Sequence, residues 1–382
     1  MTLVEPSWDQ ARASAAALGR FMGIEVLEIK EAVGRVLASD AKSLVALPTY
    51  ETSAMDGYVV SGKGPWRLIG EIKTGAPYKE RINEGEALGI ATGAVIPKGA
   101  FGILRWENAR VENKIVYGET EFRKDFRAAG QEAKLDEVLI NKGSKLTPGM
   151  IGLLAAAGYD KVDVARRPKV ALLLLGDEIQ LSGLPKDGLV RDSLGPQIPT
   201  WFEKLGCEVI SIEYVSDDLE VTVNAIEKAI KIADIVATTG GTADGPRDFL
   251  HTAIAKLNGK VIVDKVAVRP GHPQLLAEIA GRALIGLPGN PQSAVVALLT
   301  LGQPLIDTML GKSQSELPLI SSDDQFEAQP GFTRLVLGKL THGKFRAGEY
   351  LGSAMLRSLA HADGFAVCTN PPTTLRWLGL PS

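Results

Sequence analysis

The second half of the chain contains four short apolar runs separated by segments of helical periodicity. The runs are VALLLLG (170–176), EVISI (208–212), DIVATTG (234–240) and ALIGLPG (283–289). Strands that are apolar at almost every position are typical of a parallel sheet covered by helices on both faces. One covering helix is legible in SDDLEVTVNAIEKAIKIAD, where Asp217 and Glu220 fit a capping box. The pattern predicts an α/β domain.

The regions on either side of this predicted domain have different patterns of apolar and polar residues. Ala and Leu recur at helical spacing through residues 11–40, which predicts helix there. Between Leu47 and Ile140, short apolar runs such as YVV, LGIA, FGILRW and KIVYG are broken by Gly and Pro, which favours strands. A helix is expected from about Pro148 to Gly158. Residues 321–382, with the alternating stretch FTRLVLGKL, are typical of a small β module. The chain is therefore predicted to be an α/β multidomain protein.

Composition narrows the possible partners. The 382 residues favour two to four domains, and 42 basic against 45 acidic side chains give a net charge of −3, without the basic field that non-specific nucleic-acid binding needs. No apolar stretch approaches the length of a membrane span, so no membrane contact is expected. Two distant cysteines, Cys207 and Cys368, favour a reducing, cytoplasmic location. With four scattered histidines, any metal is expected to have oxygen ligands.

Candidate chemistry follows the predicted strands, because ligands of open parallel sheets bind at the carboxyl ends of the strands. In the loop TTGGTADGPRD (238–248), Gly240 and Gly241 would let backbone amides approach a ligand closely. Thr239 and Thr242, on either side of them, add hydroxyl donors. Its carboxylates, Asp244 and Asp248, suit a hard cation such as Mg²⁺. The alternative is a glycine-rich turn in which Asp248 caps the next helix.

Other strand-end loops add further candidates. In GLPGNPQS (286–293), Asn290 and Pro291 fit a helix start whose free N–H groups form an anion site; simple capping is the alternative. Glu178 in GDEI and Asp192 in RDSLGP are acid/base or metal candidates, or solvated carboxylates. In VAVRPGHP, Arg269 and His272 would attract an oxyanion. Asp56 in SAMDGYVV is at least part of a tight turn.

Taken together, several of these stretches resemble one protein family. TSAMDGYVV, ATGAVIPKGA, LTPGMIGLLAAAGYDKVDVARRPKVALLLLGDEI, GLPGNPQS and GSAMLRSLAHADG occur in order along nearly the whole chain and are similar to the molybdopterin molybdenumtransferases of the MoeA and gephyrin E-domain type. The resemblance implies a MogA-like three-layer α/β domain (166–310) with a β-rich N-terminal domain (47–129) and a small C-terminal β-barrel-like domain (318–382). A discontinuous helical domain (1–46 plus 130–165) links them.

The resemblance also implies an activity. Family members insert molybdate into adenylylated molybdopterin and release AMP with the help of Mg²⁺ or another divalent cation, as homodimers whose cleft lies between subunits. On that basis Asp248, Glu178 and Asp56 are the expected catalytic residues, Asp192 and Asp248 the metal ligands, and Arg269 and His272 the molybdate ligands. Molybdopterin and its phosphate are expected to contact Thr239, Gly240, Gly241, Thr242, Pro288, Gly289, Asn290, Pro291 and Ser293.

The sequence departs from the family pattern at several of these positions. An Asp-Asn pair is replaced by Glu51-Thr52, a usual acid by Phe101, and two lysines by Arg269 and His272, whereas the acid of a GED run appears as Glu132. The family's GGVSVGDYD is replaced by GGTADGPRD, which, with RDSLGP, resembles the MogA/MoaB molybdopterin adenylyltransferases. Asp248 is the acid common to both families. Two alternatives therefore stand beside insertion: a non-catalytic molybdopterin-binding paralogue acting as carrier, sensor or scaffold, and an adenylyltransferase-like activity.

Overall fold

A computed structural model describes residues 2–242, 248–314, 316–369 and 374–381. The chain divides into two compact units. Unit 1 comprises Met1–Glu25, Gly34–Ala38 and Val164–Ser382, and unit 2 comprises Val26–Val33 and Ser39–Asp163. The four-part division expected from the resemblance is finer than this and stays a prediction.

Seven α-helices form in the described chain. They are α1 (Trp8–Leu18), α2 (Pro148–Ala156), α3 (Leu194–Leu205), α4 (Leu219–Ile232), α5 (Leu250–Lys256), α6 (Pro291–Ala297) and α7 (Gln303–Met309). A π-helical stretch, Leu298–Gly302, joins α6 to α7.

The described strands are short and numerous. In chain order they are β1 (Leu3–Val4), β2 (Ile24–Glu28), β3 (Ala41–Lys42), β4 (Thr52–Ser53), β5 (Gly57–Val60), β6 (Trp66–Ile72), β7 (Glu86–Ile90), β8 (Gly102–Arg105), β9 (Arg110–Glu112), β10 (Ile115–Tyr117), β11 (Phe126–Arg127), β12 (Val138–Ile140), β13 (Lys161–Ala165), β14 (Lys169–Leu175), β15 (Ile179–Gln180), β16 (Val190–Arg191), β17 (Glu208–Val215), β18 (Ile235–Thr239), β19 (Lys260–Asp264), β20 (Val268–Arg269), β21 (Leu275–Ile279), β22 (Arg282–Leu287), β23 (Leu319–Ser322), β24 (Thr333–Thr341), β25 (Lys344–Ala347), β26 (Gly364–Cys368) and β27 (Leu375–Gly379).

A seven-stranded sheet in the order β1-β19-β21-β22-β18-β14-β17 forms the centre of unit 1. The four predicted strands, β17, β14, β18 and β22, run parallel to one another. Along β14, Leu172 and Leu174 face one apolar cluster with α1, α3, α6 and α7, while Leu173 faces another with α4 and α5. Because alternate side chains point to opposite faces, a run with no polar residue is what two covered faces require. The three-layer α/β fold is confirmed.

The C-terminal part of unit 1 is a small barrel. Strands β24-β25-β23-β27-β26 follow one another, and a further pairing of β24 with β26 closes the ring. Strand β20, from the α/β domain, pairs in parallel with the start of β24, so that Val268 lies opposite Thr333 and Arg269 opposite Arg334. The predicted C-terminal β-barrel is therefore present, and β20 ties it to the α/β domain.

Unit 2 is β-rich, as predicted. Its main sheet has the order β8-β5-β7-β6-β10-β9 and buries Val59, Leu88 and Ile103. The runs YVV, LGIA, FGILRW and KIVYG all lie in this sheet. At Gly57 a side chain is excluded by space, since a Cβ there would lie 2.3 Å from the carbonyl oxygen of Leu104 on β8.

Two local predictions were wrong. Helix does not extend through residues 11–40: α1 ends at Leu18, Gly19 follows in an extended conformation, and residues 24–28 form β2. The cap of α4 is Asp218, whose carboxylate accepts a hydrogen bond from the amide of Val221, and not Asp217. Among the described residues, no helix is both long and apolar enough to cross a membrane.

Candidate functional site

The carboxyl ends of β14, β18 and β22 lie side by side. Thr239 is the register partner of both Leu174 and Leu287. The loops that follow are equally close: the amide of Gly240 donates to the carbonyl of Leu287 at 2.8 Å, and a Cβ on Gly289 would lie 4.0 Å from the Cα of Gly240. The expectation that these loops meet at one edge of the sheet is confirmed.

The loop after β18 uses both glycines for their backbone freedom. Gly240 and Gly241 have φ values of 82° and 68°, in the left-handed region that favours glycine. Thr239 and Thr242 are buried beside them. Because the amide of Gly240 is bonded to the carbonyl of Leu287, the described amides with which this loop could meet a phosphate are those of Gly241 and Thr242. Asp244 lies outside the described residues, and Asp248 is half-buried, two residues before α5.

Asp192 acts as a helix cap. Its Oδ1 accepts hydrogen bonds from the amides of Leu194 (3.0 Å) and Gly195 (2.9 Å), and its Oδ2 accepts one from the Tyr214 hydroxyl at 2.7 Å. Burial and this last bond raise the pKa of Tyr214 to about 12. Gly195 is required by the contact, because a Cβ there would lie 2.2 Å from Oδ2. Both carboxylate oxygens of Asp192 are thus already engaged by protein donors.

We expect Asp192→Ala to lower the free energy of unfolding by about 1–2 kcal/mol, through loss of the cap and of the Tyr214 hydrogen bond. The Tyr214 contribution is present below its ordinary pKa of 10.0 and is lost as pH rises through about 12, because the folded state holds the phenol proton more tightly. Denaturant titration measures both effects. Asp177→Ala is the matched control, since among the described residues that carboxylate accepts a single long bond, 3.3 Å from the amide of Asp217. Equal losses in the two variants would contradict the capping role.

Unlike that of Asp192, the carboxylate of Glu178 accepts no hydrogen bond from a described residue. Its side chain is exposed, while its backbone carbonyl accepts a hydrogen bond from the amide of Val190 at 2.8 Å. Gly176 before it has φ 139°, and a Cβ at that position would lie 2.7 Å from Oε2 of Glu178. The glycine therefore gives the Glu178 carboxylate room at the end of β14.

The start of α6 is formed as predicted, with Asn290 as cap and Pro291 in the first turn. It is, however, partly occupied by the segment that precedes the last barrel strands. The amide of Gln292 donates to the carbonyl of Ser353 at 2.9 Å, and its side-chain Nε2 donates to the carbonyls of Tyr350 and Met355. Nδ2 of Asn290 donates to Oγ of Ser353 at 3.3 Å. Fewer N–H groups face outwards here than the sequence suggested.

A cleft of about 460 Å³ opens next to this helix start. Pro288 and Asn290 line it from the loop after β22, Ser293 from α6, and Ser353 from the segment before the last barrel strands. Two arginines complete its polar surface, Arg269 on β20 and Arg334 on β24. The cleft therefore joins one predicted oxyanion ligand to three predicted phosphate-binding residues.

The two arginines are neighbours by strand pairing. Arg269 and Arg334 are register partners of the parallel pair β20–β24. Within the described ranges neither forms an ion pair; Arg334 donates only to the carbonyl of Glu327, at 3.2 Å, and Arg269 lies over the Phe332 ring at 5.4 Å. Two arginines that line one cleft without a carboxylate partner among the described residues suit an anion with two or more negative charges. Sequence reasoning missed Arg334.

His272 is linked to this arginine pair through Phe332. Its Nε2 is 2.7 Å from Oε1 of Glu5, and its ring packs against Phe332 with centroids 5.7 Å apart. The guanidinium of Arg269 lies over the same Phe332 ring in a cation–π contact. Glu5 follows β1, which adds to the sheet beside β19. His272 is thus a support of Arg269 through Phe332, with its ring nitrogen bound to a carboxylate.

Asp56 and its neighbours belong to unit 2. Asp56 is exposed, and its Oδ1 accepts a hydrogen bond from the amide of Thr92 at 2.7 Å, so it holds a loop in that unit. Glu51, which replaces an acid of the family pattern, pairs with Arg123. Phe101 packs against Phe122 with ring centroids 5.7 Å apart.

Comparison with known proteins agrees with this architecture. The family model of the MoeA N-terminal region, domains I and II, matches residues 6–158, and that of a probable molybdopterin binding domain matches residues 171–308. A solved molybdopterin biosynthesis MoeA protein from Pyrococcus horikoshii superposes with a TM-score of 0.79 at 27% identity, covering 98% of this chain and 97% of that one. A second structure from that organism gives a TM-score of 0.82 at 22% identity, with the same coverage.

Sequence relatives are more specific. The chain is 30% identical over 337 residues to a molybdopterin molybdenumtransferase of Staphylococcus epidermidis, covering 82% of this chain and 79% of the relative. It is 33% identical to one of Haemophilus influenzae, with 77% and 75% covered. The fold and these relatives define a protein of molybdenum cofactor biosynthesis. The chain belongs to the molybdopterin molybdenumtransferase family.

Proposed function

We propose that this protein inserts molybdate into adenylylated molybdopterin with release of AMP. The observation that carries the proposal is the pair of unneutralised guanidinium groups, Arg269 and Arg334, in a cleft bounded by the loop after β22. Molybdate is a doubly charged oxyanion, and preorganised cations that do not have to move are the strongest form of electrostatic stabilisation a site can offer. Ser293 and Ser353, from opposite walls, supply hydroxyl donors.

The pterin phosphate would bind at the neighbouring strand ends. Gly241 and Thr242 offer amides there, and Gly289 leaves the loop after β22 open to close approach. Glu178 and Asp248 would orient the reacting groups. We propose that the active unit is a homodimer in which Asp56 reaches the cleft from the partner subunit, and that the protein acts in the cytoplasm.

A divalent cation is part of the proposal, but the described side chains alone do not form a complete site for one. Within the described ranges no three His, Cys, Asp or Glu side chains lie together as metal ligands, and both oxygens of Asp192 accept hydrogen bonds, Oδ1 from the start of α3 and Oδ2 from the Tyr214 hydroxyl. Mg²⁺ commonly binds through one or two carboxylates together with substrate phosphates. Asp248 would share such an ion with the substrate, and no step of the proposal is assigned to the metal.

One pair of assays tests the function against its alternatives. The purified protein is offered adenylylated molybdopterin with molybdate, and separately molybdopterin with Mg-ATP. AMP release that depends on molybdate is the expected result. Pyrophosphate release in the second assay would instead favour adenylylation, which the MogA/MoaB-like loop at 238–248 suggests. Tight pterin binding with neither product would contradict both enzymatic functions and favour a carrier, sensor or scaffold.

Glu5→Gln is expected to weaken molybdate binding about two- to fivefold. The substitution loosens His272 and, through Phe332, the arginine that packs on that ring, and a cation–π contact at such a site contributes about 0.5–1 kcal/mol. Titration calorimetry with molybdate measures the change. Glu278→Gln, which removes the carboxylate 3.5 Å from Arg20, is the control and should leave binding unchanged. Identical affinities for Glu5→Gln and the control would show that the contact does not position Arg269.

A further inference from the structure

A second cavity lies on the C-terminal barrel. It encloses about 290 Å³ and is lined by the end of β24, by β25 and by the segments 348–350 and 357–362. None of its lining residues lines the cleft of Arg269 and Arg334. The proposed insertion reaction makes no use of it.

The lining of this barrel cavity is strongly basic. Lys339, Arg346, Arg357 and His361 contribute to it, and Glu349 is the carboxylate among the described lining residues. In the part of the chain that the structure describes, none of the four basic side chains forms an ion pair, in a protein whose net charge is −3. With His361 neutral, the cavity still carries an excess of two positive charges. A local excess of this kind favours an anionic ligand.

The pairing of β24 with β25 means that this excess of positive charge destabilises the barrel. Lys339 on β24 and Arg346 on β25 are direct cross-strand partners, and like charges in that position destabilise a sheet. The nearby carboxylate of Asp323 accepts a hydrogen bond from Nζ of Lys344 at 2.6 Å; Lys344 chiefly, and Arg346 to a lesser extent, lower the pKa of Asp323, so this carboxylate offsets part of the Arg346 charge. Asp363 accepts a hydrogen bond from the amide of Leu340. An anion between Lys339 and Arg346 would relieve their repulsion.

The hydrogen-bond donors of the cavity suit phosphate oxygens. Arg357 donates to the Tyr350 hydroxyl at 3.0 Å, and because that oxygen accepts, the phenol proton is available to a second acceptor. Ser358 Oγ accepts from the amide of Tyr350 at 2.8 Å, so its own proton is available as well. Arginine forks with hydroxyl donors match the several oxygens of a phosphate, which can accept two bonds at once. The volume is at the lower end for small-molecule pockets.

We propose that this barrel cavity binds the phosphate monoester of a small molecule, held by Lys339, Arg346 and Arg357 with Tyr350 as a hydroxyl donor. The inference does not depend on the proposed function, because the two cavities share no residue. The volume of about 290 Å³ has room for a phosphate and a small organic group.

Calorimetric titration with ribose 5-phosphate tests this site. The titration is made at fixed ionic strength on Arg269→Ala/Arg334→Ala, so that the cleft cannot contribute. We expect saturable binding of one equivalent, and no binding of unphosphorylated ribose. Adding Lys339→Ala/Arg346→Ala should weaken the affinity about tenfold or more, since both charge-assisted contacts are lost. Adding Lys204→Ala/Lys228→Ala instead removes two exposed charges from the α/β domain and should change nothing.

Thermal unfolding gives a second measure. Ribose 5-phosphate should raise the Tm of the parent and of the Lys204→Ala/Lys228→Ala control, but not that of Lys339→Ala/Arg346→Ala, whose fold is checked by circular dichroism. Absence of saturable binding up to about 10 mM would overturn the proposal. Equal affinity in the barrel variant and the control would overturn it too. Neither outcome bears on molybdate-dependent AMP release, which is measured on the unaltered cleft.

Discussion

Replacing Arg334 with alanine is expected to reduce molybdate-dependent AMP release about 100-fold. The guanidinium lies opposite Arg269 in the strand pair and faces the same cleft, so its loss halves the fixed positive charge available to a doubly charged oxyanion. Removing one preorganised donor from a developing anion typically costs about 10²- to 10³-fold in rate. Steady-state measurement of AMP over a range of molybdate concentrations gives kcat and KM separately.

Two further variants make the result specific. Arg334→Lys keeps the charge and loses the planar fork, so it should recover only part of the rate. Arg20→Ala removes an arginine whose side chain is 80% exposed, and should behave as the unaltered protein. If Arg334→Ala retained both its kcat and its KM for molybdate, the cleft would not be the oxyanion site.

Asp248→Asn is expected to lower turnover about 100-fold or more while leaving pterin binding largely intact. The substitution preserves size and removes the charge of the carboxylate that would orient the reacting groups in the proposed function, and loss of a positioned acid/base group costs about 10²- to 10⁴-fold. AMP release reports turnover, and quenching of pterin fluorescence reports binding. Asp177→Asn, at the neighbouring strand end, is the matched control. Undiminished turnover in Asp248→Asn would remove this carboxylate from the mechanism.

The parallel strands were predictable from sequence because burial on both faces leaves a run without polar residues, as in VALLLLG. Strands β19 and β21 were not, since β21 pairs antiparallel with β22 and β19 antiparallel with β21, and neither has an apolar run as long as VALLLLG. The helix expected through residues 11–40 ends at Leu18; the Ala-rich stretch stops at Ala17, and residues 24–28 form β2, which pairs with β13. Local composition cannot reveal where tertiary pairing overrides it.

The candidate site, like the fold, could be predicted from the sequence only in part. Glycines 240, 241 and 289 follow strands and could be placed at one edge. Arg334 could not be placed there. It is 65 residues from Arg269 in the chain, and the two become neighbours because β20 pairs with β24. His272 was expected to face the oxyanion, and the partner that holds it, Glu5, is 267 residues away. Asp192 illustrates a different limit, since a carboxylate before a helix has the same sequence pattern whether it caps or binds metal.

Closure of the C-terminal barrel has a consequence for handling the protein at high concentration. Each of its five strands has a neighbour on both sides, so the ring offers no unpaired edge to another chain. Among the described strands of unit 1, the seven-stranded sheet has two open edges, and one of them, β17, exposes Ile212 and Tyr214. If the protein aggregates through strand addition, that edge is where charged substitutions should improve solubility.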